Sequence, residues 1–473
     1  MTDPATPVPG AERAASSASG ATASGPAASG PTASGPAAVT AELDRLDPLA
    51  GYRDRFLPSD ELVAYLDGNS LGRPLRVTAD HLGAFVARDW GGRLIRAWDE
   101  QWMDLPFTLG DRIAAATLGA GPGQTVVADS TTVMLYKLMR AAVDARPGRH
   151  EIVLDDDNFP TDRFVAEGIA RERGLRIRWI SVDSARGAEL EQVRAAVGPD
   201  TALVVLSHVS YRSGFLADMP GITRAAHEAG ALVLWDLCHS VGSVPMQLDE
   251  WNVDLAVGCT YKYLNGGPGS PAFGYVARRL QSELEQPVQG WMGAADVFAM
   301  GDGFVPGEGM RRFLSGTPPV IGMLAMQHML DLIEEAGIDA IREKSVALTE
   351  HALRLVDAQL VPLGVTIASP LASAERGSHV TIRHPEFREV TARLWEQGVI
   401  PDFRAPDGLR IGLSPLSTSF AELQRGIDAI AAALEQSTIA AALEQSTIAA
   451  ALEQSTIAAA LQQSTIAAAP TEA

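Results

Sequence analysis

Lys262 is the residue of this sequence whose surroundings most strongly favour covalent chemistry. It lies within Val257–Val276, VGCTYKYLNGGPGSPAFGYV, between two tyrosines and ahead of a run of glycines. Glycines allow positive φ angles and let the backbone approach another group closely. A lysine on the solvated surface needs neither, whereas a lysine withdrawn from water and held still can attack a carbonyl carbon. The segment therefore predicts a lysine that bonds covalently to a carbonyl compound.

Asp236 is the second candidate, because it directly follows a short apolar run, Ala231–Trp235, that predicts a buried parallel strand. Open α/β sheets bind their ligands at the carboxyl ends of their strands. By itself, this aspartate would fit a helix cap equally well. An aspartate at a strand end, followed 26 residues later by a lysine beyond a second strand, is the arrangement that pyridoxal 5'-phosphate requires. The aspartate keeps the pyridine nitrogen protonated, and the lysine carries the aldehyde.

The motifs around both residues resemble those of the kynureninases, which are fold-type I pyridoxal-phosphate enzymes of the class V aminotransferase superfamily. The relevant stretches are DLCHSVG, beginning at Asp236, and VGCTYKYLNGGPGSPAF, beginning at Val257. Cysteine desulfurases and other class V aminotransferases share the aspartate and the lysine but typically differ around the lysine. Further kynureninase-like motifs occur in the same order along the chain: YLDGNSLG (65–72), FPTD (159–162), SYRSG (210–214), SHVTIRHPE (378–386) and FRAPDGLRIG (403–412).

This resemblance implies hydrolytic cleavage of the Cβ–Cγ bond of L-kynurenine to anthranilate and L-alanine, in tryptophan catabolism by the kynurenine pathway that leads to NAD biosynthesis. Two other substrates stay open, 3-hydroxykynurenine and a modified kynurenine of secondary metabolism. A lyase or desulfurase acting on a related amino acid is the alternative on the same scaffold. A desulfurase needs a mobile nucleophilic cysteine on a C-terminal loop, and no cysteine follows Cys259. A catalytically idle relative is disfavoured because every expected cofactor residue is present.

The resemblance assigns catalytic roles to three residues and substrate contacts to two more. Lys262 holds the cofactor aldehyde and then removes the substrate Cα proton, while Asp236 stabilises the protonated pyridine. Tyr261 would bind the cofactor phosphate and take part in proton transfer. Arg410, in the LRIG motif, would bind the substrate α-carboxylate in a planar two-pronged contact. Trp98, or a neighbour of it, would form part of the wall against the substrate's aromatic ring, although helix packing is the alternative role for that tryptophan-rich segment.

A phosphate site is predicted where a helix begins shortly after the strand Thr125–Ala128, since hydroxyls and free N–H groups at a helix start bind anions. An ordinary helix cap is the alternative there, and the resemblance selects Thr131 and Thr132 as phosphate ligands. The remaining cofactor contacts that it implies are stacking on the pyridoxal ring by Phe159, polar contacts near the ring from Thr161 and Asp162, a contact from Ser207, and a contact of His239 with the ring or its aspartate.

The resemblance also implies a homodimer, in which Trp291 and Thr317 reach the cofactor phosphate from the neighbouring subunit. Met292 and Ala294 stand where kynureninases usually carry phenylalanine and histidine, and Ser417 replaces a tyrosine. The missing imidazole bears on substrate preference more than on cofactor binding. Animal enzymes that favour the 3-hydroxy substrate tend to have asparagine at the position of Thr317, which here favours unsubstituted kynurenine.

Strands and helices must alternate to position these residues, and the apolar pattern predicts such an alternation. Predicted strands are Thr125–Ala128, Arg176–Ile180 and Ala202–Leu206, and helices are predicted near Glu189–Val197 and Ile222–Ala229. Alternation at this spacing predicts a mostly parallel sheet with helices on both faces. The expected fold class is α/β, a fold-type I pyridoxal-phosphate transferase-like fold with a large sheet domain and a smaller α/β domain.

The chain is predicted to divide into successive segments. Residues 1–40 are rich in Ala, Ser, Gly and Pro and predict a disordered tail. Residues 41–90 would contribute to the small domain, 91–317 would form the large cofactor-binding domain, and 318–433 the small domain. Residues 434–473 repeat LEQSTIAAA with a nine-residue period, which advances about half a turn and so gives no single apolar stripe. This tail predicts an alanine-favoured helical extension and no coiled coil.

Bulk composition narrows the partners and the compartment. The chain has 473 residues, 46% of them hydrophobic, and a formal net charge of −20, which disfavours binding to nucleic acid or to anionic membranes. Its two cysteines, Cys238 and Cys259, suit a reducing cytosol and are predicted to be buried packing residues close to one another. No cluster of metal ligands, membrane span or signal peptide is predicted. We expect a cytoplasmic enzyme whose partners are a small-molecule substrate and a second copy of the chain.

Overall fold

The structure is a computed structural model that describes residues 36–467. Its α-helices, in chain order, are α1 Pro36–Leu46, α2 Arg76–Ala84, α3 Leu105–Ile113, α4 Thr131–Asp144, α5 Pro160–Arg173, α6 Leu190–Ala196, α7 Met219–Glu228, α8 Val320–Ala336, α9 Ile338–Gln359, α10 Phe387–Glu396 and α11 Phe420–Ala467. The tryptophan-rich segment between α2 and α3 forms short helical turns of uneven width: Phe85–Arg93, Leu94–Arg96 and Trp98–Trp102.

The β-strands, in chain order, are β1 Ala64–Tyr65, β2 Thr125–Ala128, β3 Glu151–Asp155, β4 Arg176–Ile180, β5 Thr201–Ser207, β6 Leu232–Asp236, β7 Leu255–Cys259, β8 Ala272–Val276, β9 Thr366–Ile367, β10 His379–Arg383, β11 Val399–Ile400, β12 Asp402–Arg404 and β13 Gly408–Gly412. The predicted strands and helices of the large domain all form, with ends that differ by a few residues.

Seven strands of the described chain form the larger sheet, in the order β2-β8-β7-β6-β5-β3-β4. β8 is antiparallel to both of its neighbours, and the other neighbouring strands are parallel. Every central strand is buried along nearly its whole length. Such strands read as continuous apolar runs because both of their faces are covered. The predicted α/β class with a mostly parallel sheet is confirmed.

The carboxyl ends of the central strands lie side by side. Ser207 at the end of β5 is paired with Asp236 at the end of β6, and Asp236 is paired with Val257 of β7. Lys262 lies in the turn that follows β7, before the chain returns as β8. That turn has the backbone conformation that its glycines predicted, since Gly267 and Gly269 have φ angles of 80° and 77°. The aspartate ends β6 and the lysine lies in the turn after the neighbouring strand β7. Both are therefore at the same end of the sheet.

The described residues form two large hydrophobic cores and a third, small cluster of Phe85, Ala97, Trp102, Val320 and Leu324. Of the two large cores, the larger surrounds the seven-stranded sheet, and the smaller lies among α9, α10, α11, β1, β10 and β13. Buried side chains of α8 such as Met323, Leu330 and Ile333 belong to the larger core, whereas Leu348 and Val356 of α9 belong to the smaller. The division between the two large cores falls within α9. The domain boundary at residue 318 stays a prediction.

Both ends of the described chain are helical. α1 begins at Pro36 and places Thr40 in a buried position, with its hydroxyl 3.0 Å from His351 Nε2 and donating to Gln424 Oε1 at 3.1 Å. The predicted tail 1–40 is therefore ordered from residue 36, and residues 1–35 lie outside the described part. At the other end α11 runs to Ala467 as one helix, which confirms the predicted extension. No helix within residues 36–467 is both long and apolar enough to span a membrane.

A loop formed by residues 210–216 joins the two cores through hydrogen bonds. Its Tyr211 carbonyl accepts a hydrogen bond from Arg410 of β13, at 2.8 Å. Its Gly214 carbonyl accepts one from the N–H of Gly377, at 2.7 Å. Gly214 has a φ of 76°, and a Cβ there would lie 2.8 Å from the carbonyl oxygen of His379. The 210–216 loop therefore needs glycine at this point to lie against the smaller core.

Candidate active site

Lys262 and Asp236, which were predicted to act on the same cofactor, both lie where the parallel strands of the larger sheet have their carboxyl ends. Asp236 ends β6, and its Oδ1 accepts a hydrogen bond from the backbone N–H of Cys238 at 2.8 Å, which orients the carboxylate. Lys262 is buried, and its Nζ lies 3.1 Å from Nε2 and 3.4 Å from Nδ1 of His239. The structure therefore brings the predicted aspartate, lysine and histidine into one cluster, which we call the lysine cluster.

Burial sets the protonation states beside the lysine cluster. Asp162, in the first turn of α5, is buried, and its Oδ2 has no hydrogen-bond partner within residues 36–467. Burial, and then the negative charges of Asp236 and Asp155, raise the pKa of Asp162 well above its usual range. Burial, and then the positive charge of Lys262, lower the pKa of His239 well below its usual range. Burial therefore favours the protonated form of Asp162 and the neutral form of the His239 imidazole.

Tyr261 lies beside the reactive lysine, with the Lys262 amine 6.0 Å from the centre of its ring. Burial, and then the neighbouring thiols of Cys259 and Cys238, raise the pKa of Tyr261. The phenol therefore keeps its proton at neutral pH. Both cysteines are buried and free, and Cys259 Sγ lies 3.8 Å from the carbonyl oxygen of Cys238, which confirms that they are close packing residues.

The segment between β3 and α5 supplies a second wall. Phe159 precedes α5 and meets the ring of Tyr211 edge-on, with ring centres 5.3 Å apart. Thr161 follows in the first turn of α5 and is half-buried. Ser207 donates a hydrogen bond to Asn158 Oδ1 at 2.9 Å. Sequence reasoning missed both Tyr211 and Asn158, although each lies within or beside a motif that it had singled out, SYRSG and FPTD.

The predicted phosphate site is the start of α4. Ser130 is the N-cap residue, and its Oγ accepts a hydrogen bond from the N–H of Val133 at 3.4 Å. Thr131 and Thr132 form the first turn; Thr132 is exposed and Thr131 half-buried. Free N–H groups at such a start, together with these hydroxyls, form an anion site. The geometry is compatible with both the phosphate role and the plain helix cap that the sequence left open.

Arg410 is buried on β13 and already contacts several groups of the chain. Its Nε donates to Asp402 Oδ2 at 2.6 Å, its Nη2 to Ser70 Oγ at 2.8 Å, and its Nη1 to the carbonyl of Tyr211 at 2.8 Å. Sequence reasoning assigned this guanidinium to the substrate carboxylate and missed Asp402, which pairs with it in the structure. The sequence does place a carboxylate close to this arginine, because Asp402 lies directly before the FRAPDGLRIG motif.

Trp98, Trp291 and Thr317 lie apart from the lysine cluster within this chain. Trp98 meets Trp102 edge-on at 5.2 Å, and both line a surface cavity of about 420 Å³ together with Thr317. Trp291 is 44% exposed and lines another surface cavity of about 730 Å³ beside Ala294. Within residues 36–467, no hydrogen bond or ring contact joins these three to Lys262, Asp236 or His239.

Pyridoxal 5'-phosphate fits this set of groups. A protonated pyridine nitrogen suits the Asp236 carboxylate, and an aldehyde suits the Lys262 amine. The unpartnered Oδ2 of Asp162 is a buried polar atom that requires a ligand group or water beside it. The start of α4, with Thr131 and Thr132, suits a phosphate.

Comparisons with known proteins agree with this chemistry. The sequence profile of the family described as "Aminotransferase class-V" matches residues 114–398. A kynureninase from Pseudomonas fluorescens is 41% identical over 405 residues, which cover 84% of this chain and 95% of that protein. A kynureninase from Deinococcus radiodurans is 43% identical over 405 residues, covering 83% and 95% respectively.

Among solved structures, a C-DES variant with glycine covalently linked to its PLP cofactor has a TM-score of 0.69 at 19% identity, covering 79% of this chain and 99% of that chain. At that identity the likeness establishes a shared fold. The identity and coverage shared with the two kynureninases establish more: the chain belongs to the kynureninase family, within the class V aminotransferases.

Proposed function

We propose that this protein hydrolyses the Cβ–Cγ bond of L-kynurenine, giving anthranilate and L-alanine, with pyridoxal 5'-phosphate as its cofactor. The similarity to kynureninases over more than four fifths of the chain supports the reaction. The structural observation that carries the proposal is the lysine cluster, in which Lys262 and Asp236 lie at the ends of adjacent strands and a neutral His239 touches the amine.

Four groups of the chain hold the cofactor. Lys262 bonds to its aldehyde, Asp236 accepts a hydrogen bond from its ring nitrogen, and the start of α4 at Thr131 and Thr132 binds its phosphate. Phe159 covers a face of its ring. Bound pyridoxal phosphate withdraws electrons from the substrate Cα and so makes the Cα proton acidic.

The residues of the lysine cluster and Tyr261 move the protons. With its amine not bonded to the cofactor, Lys262 would be positioned to remove the substrate Cα proton. His239 is neutral and 3.1 Å from that nitrogen, so it can receive a hydrogen bond without adding a second positive charge. Water would then add to the γ-carbonyl, the Cβ–Cγ bond would break to release anthranilate, and Cβ would take a proton. Tyr261 is suited to supply that proton because burial keeps its phenol protonated. Return of a proton from Lys262 to Cα would complete L-alanine.

Substrate recognition divides between a charged and an apolar group. Arg410 binds the α-carboxylate, and the Trp98 region forms a wall for the aromatic ring. Trp98 and Thr317 share one apolar surface cavity, and the exposed flanking tryptophan Trp90 lines it too. Thr317 offers no amide to a 3-hydroxyl group, which favours unsubstituted L-kynurenine over 3-hydroxykynurenine. Tryptophan catabolism is the setting that this substrate implies.

We also propose a cytoplasmic homodimer with active sites at the subunit interface. Trp291 and Thr317 are exposed in the single chain, as is the start of α4 at Thr132. A second copy would cover these groups and bring its own Trp291 and Thr317 towards the phosphate. The two reduced, buried cysteines, Cys238 and Cys259, agree with a reducing compartment.

The test is an assay of the purified holoenzyme for anthranilate, with L-kynurenine and 3-hydroxykynurenine run side by side. We expect anthranilate from L-kynurenine, and a lower kcat/KM with the 3-hydroxy substrate. Lys262→Ala is expected to remove both product formation and the absorbance band of the lysine-bound cofactor. A fully cofactor-loaded protein that forms no anthranilate would contradict the reaction, and persistence of the band in Lys262→Ala would contradict the assignment of this lysine.

A further inference from the structure

His379 is a buried histidine that the roles proposed above do not use. Its side chain has no exposed surface, and neither of its ring nitrogens has a hydrogen-bond partner within residues 36–467. Buried polar atoms almost always have a partner, either in the protein or in bound water or ligand. The backbone of Tyr211 lies near enough to favour the charged form of His379, but neither ring nitrogen forms a hydrogen bond with it, so bound water or a ligand can supply a partner.

Its position on the smaller sheet directs it towards the substrate. His379 begins β10 and is paired with Gly412 of β13, so Arg410, two residues earlier on β13, is its diagonal neighbour on the same face of the sheet. Gly412 has no side chain, and the space beside it is filled by the buried side chain of Asn69. The ring of His379 lies 5.7 Å from the ring of His239, which contacts Lys262 Nζ. His379 thus lies between the amine that reacts with the substrate and the guanidinium that recognises it.

The charge state of His379 makes it a hydrogen-bond donor and acceptor and not a cation. Burial, and then the positive charges of Arg410 and Lys262, lower its pKa well below the usual range. A neutral imidazole has one N–H group and one bare nitrogen. One ring nitrogen of the neutral imidazole can therefore donate to a substrate oxygen.

Arg410 cannot hold both oxygens of a carboxylate in its present contacts. A guanidinium has five N–H groups. Asp402 Oδ2 lies 2.6 Å from Nε and 2.5 Å from Nη2, while Ser70 Oγ takes the other Nη2 hydrogen and the Tyr211 carbonyl takes one Nη1 hydrogen. Within the described chain this leaves one N–H of Nη1 without an acceptor. A second donor is needed for the second oxygen. Two buried side chains beside Gly412 have donors without a partner, Asn69 and His379, and His379 is the one whose ring also lies beside His239 of the lysine cluster.

We propose that His379 binds the substrate α-carboxylate jointly with Arg410, its imidazole N–H holding one oxygen and the free Nη1 hydrogen the other. The inference rests on the proposed function for the identity of the amino acid, and it adds a recognition residue that the sequence motifs did not suggest. It also explains why the Arg410–Asp402 pair can persist while substrate is bound.

The test measures recognition of the carboxylate apart from turnover. Holoenzyme is titrated with L-alanine, and with kynurenamine, which is kynurenine without its carboxylate; both dissociation constants are read from the cofactor's absorbance. His379→Leu is expected to weaken L-alanine binding about 10-fold to 100-fold, the range for a hydrogen bond to a charged group, and to leave kynurenamine within about 2-fold. His379→Gln, which keeps an N–H donor, should recover most of the loss.

His208→Leu is the matched control, since His208 is another buried histidine, packed against Trp235 with ring centres 6.1 Å apart. It should leave the ratio of the two dissociation constants unchanged. Equal weakening of both probes in His379→Leu, or no weakening of either, would overturn the proposal. Because binding is measured directly, a holoenzyme that selects L-alanine through His379 but forms no anthranilate would contradict the proposed reaction alone.

Discussion

Two carboxyl groups near the Lys262 amine have different environments. Asp236 accepts a backbone hydrogen bond from Cys238 and is available to face a cation. Asp162 has an unpartnered, buried oxygen, and its raised pKa reflects burial first and the nearby charge of Asp236 second. The two aspartates therefore differ in environment although the sequence letters are the same: a backbone hydrogen bond orients Asp236, whereas burial favours the protonated form of Asp162.

Neutralising each carboxyl group should have unequal effects. Asp162→Asn replaces a neutral acid by a neutral amide and is expected to lower kcat for anthranilate by less than about 10-fold. Asp236→Asn removes the charge opposite the cofactor's ring nitrogen and is expected to lower kcat by about 100-fold or more. Steady-state rates at saturating cofactor measure both. Equal losses in the two variants would show that Asp162 is not held in its protonated form.

Asp155, at the end of β3, should make stability depend on pH. Burial, and then the charge of Asp157, raise the pKa of Asp155 to about 7, above its value in the unfolded chain. Between these two pKa values the folded state holds a proton that the unfolded state releases. The free energy of unfolding is therefore unaffected by Asp155 below about pH 4 and falls as the pH rises through about 7. The difference in the free energy of unfolding between Asp155→Asn and the parent should therefore shift in favour of the variant as the pH is raised from about 5 to about 8. Urea midpoints at both pH values measure this, and a constant difference would contradict it.

At the scale of elements, the start of α4 depends on a strained turn that a buried lysine holds. Asp129 has a φ of 55°, a left-handed conformation that is unfavourable for most residues other than glycine. Lys137, in the second turn of α4, is fully buried. Its amine donates to Asp129 Oδ2 at 2.8 Å and to the carbonyl of Phe313. This pair fixes where α4 begins, and so where its free N–H groups point.

Two substitutions at the N-cap separate its structural and ligand roles. Ser130→Ala should lower the free energy of unfolding of the apo-protein by about 1 kcal/mol, because the cap on Val133 is lost. Ser130→Asp should keep that stability, since aspartate caps well, but should weaken cofactor binding, because its charge repels the phosphate. Urea denaturation and cofactor titration measure the two effects. Undiminished cofactor affinity in Ser130→Asp would place the phosphate elsewhere.

The central strands of the large sheet were predictable because both of their faces are covered, so that β5 and β6 read as unbroken apolar runs. The pairing of Lys262 with Asp236 followed from the strand order that such sheets favour. The pairing of Arg410 with Asp402 did not follow, because it depends on the antiparallel register of β12 and β13. The placement of α8 also could not be predicted, since an apolar helix face does not specify which core it covers.

At the scale of the whole molecule, a buried ion pair fastens the N-terminal segment to α9. Lys344 of α9 contacts Asp47, which follows α1, and both side chains are almost fully buried. Lys344→Met should lower the free energy of unfolding by about 3–5 kcal/mol, because it leaves Asp47 buried without its partner. The double variant Asp47→Asn, Lys344→Met should recover a large part of that loss. Denaturant unfolding measures both, and an equally unstable double variant would show that the charge is not the cause.

The 210–216 loop has a consequence for how the molecule comes apart. Its carbonyls accept hydrogen bonds from Arg410 and from Gly377, so the smaller core cannot separate from the sheet without breaking the contacts that also orient the substrate's guanidinium partner. Heating should therefore produce one calorimetric transition in which both large cores melt together, instead of two successive meltings. Activity and tertiary structure should disappear over the same few degrees.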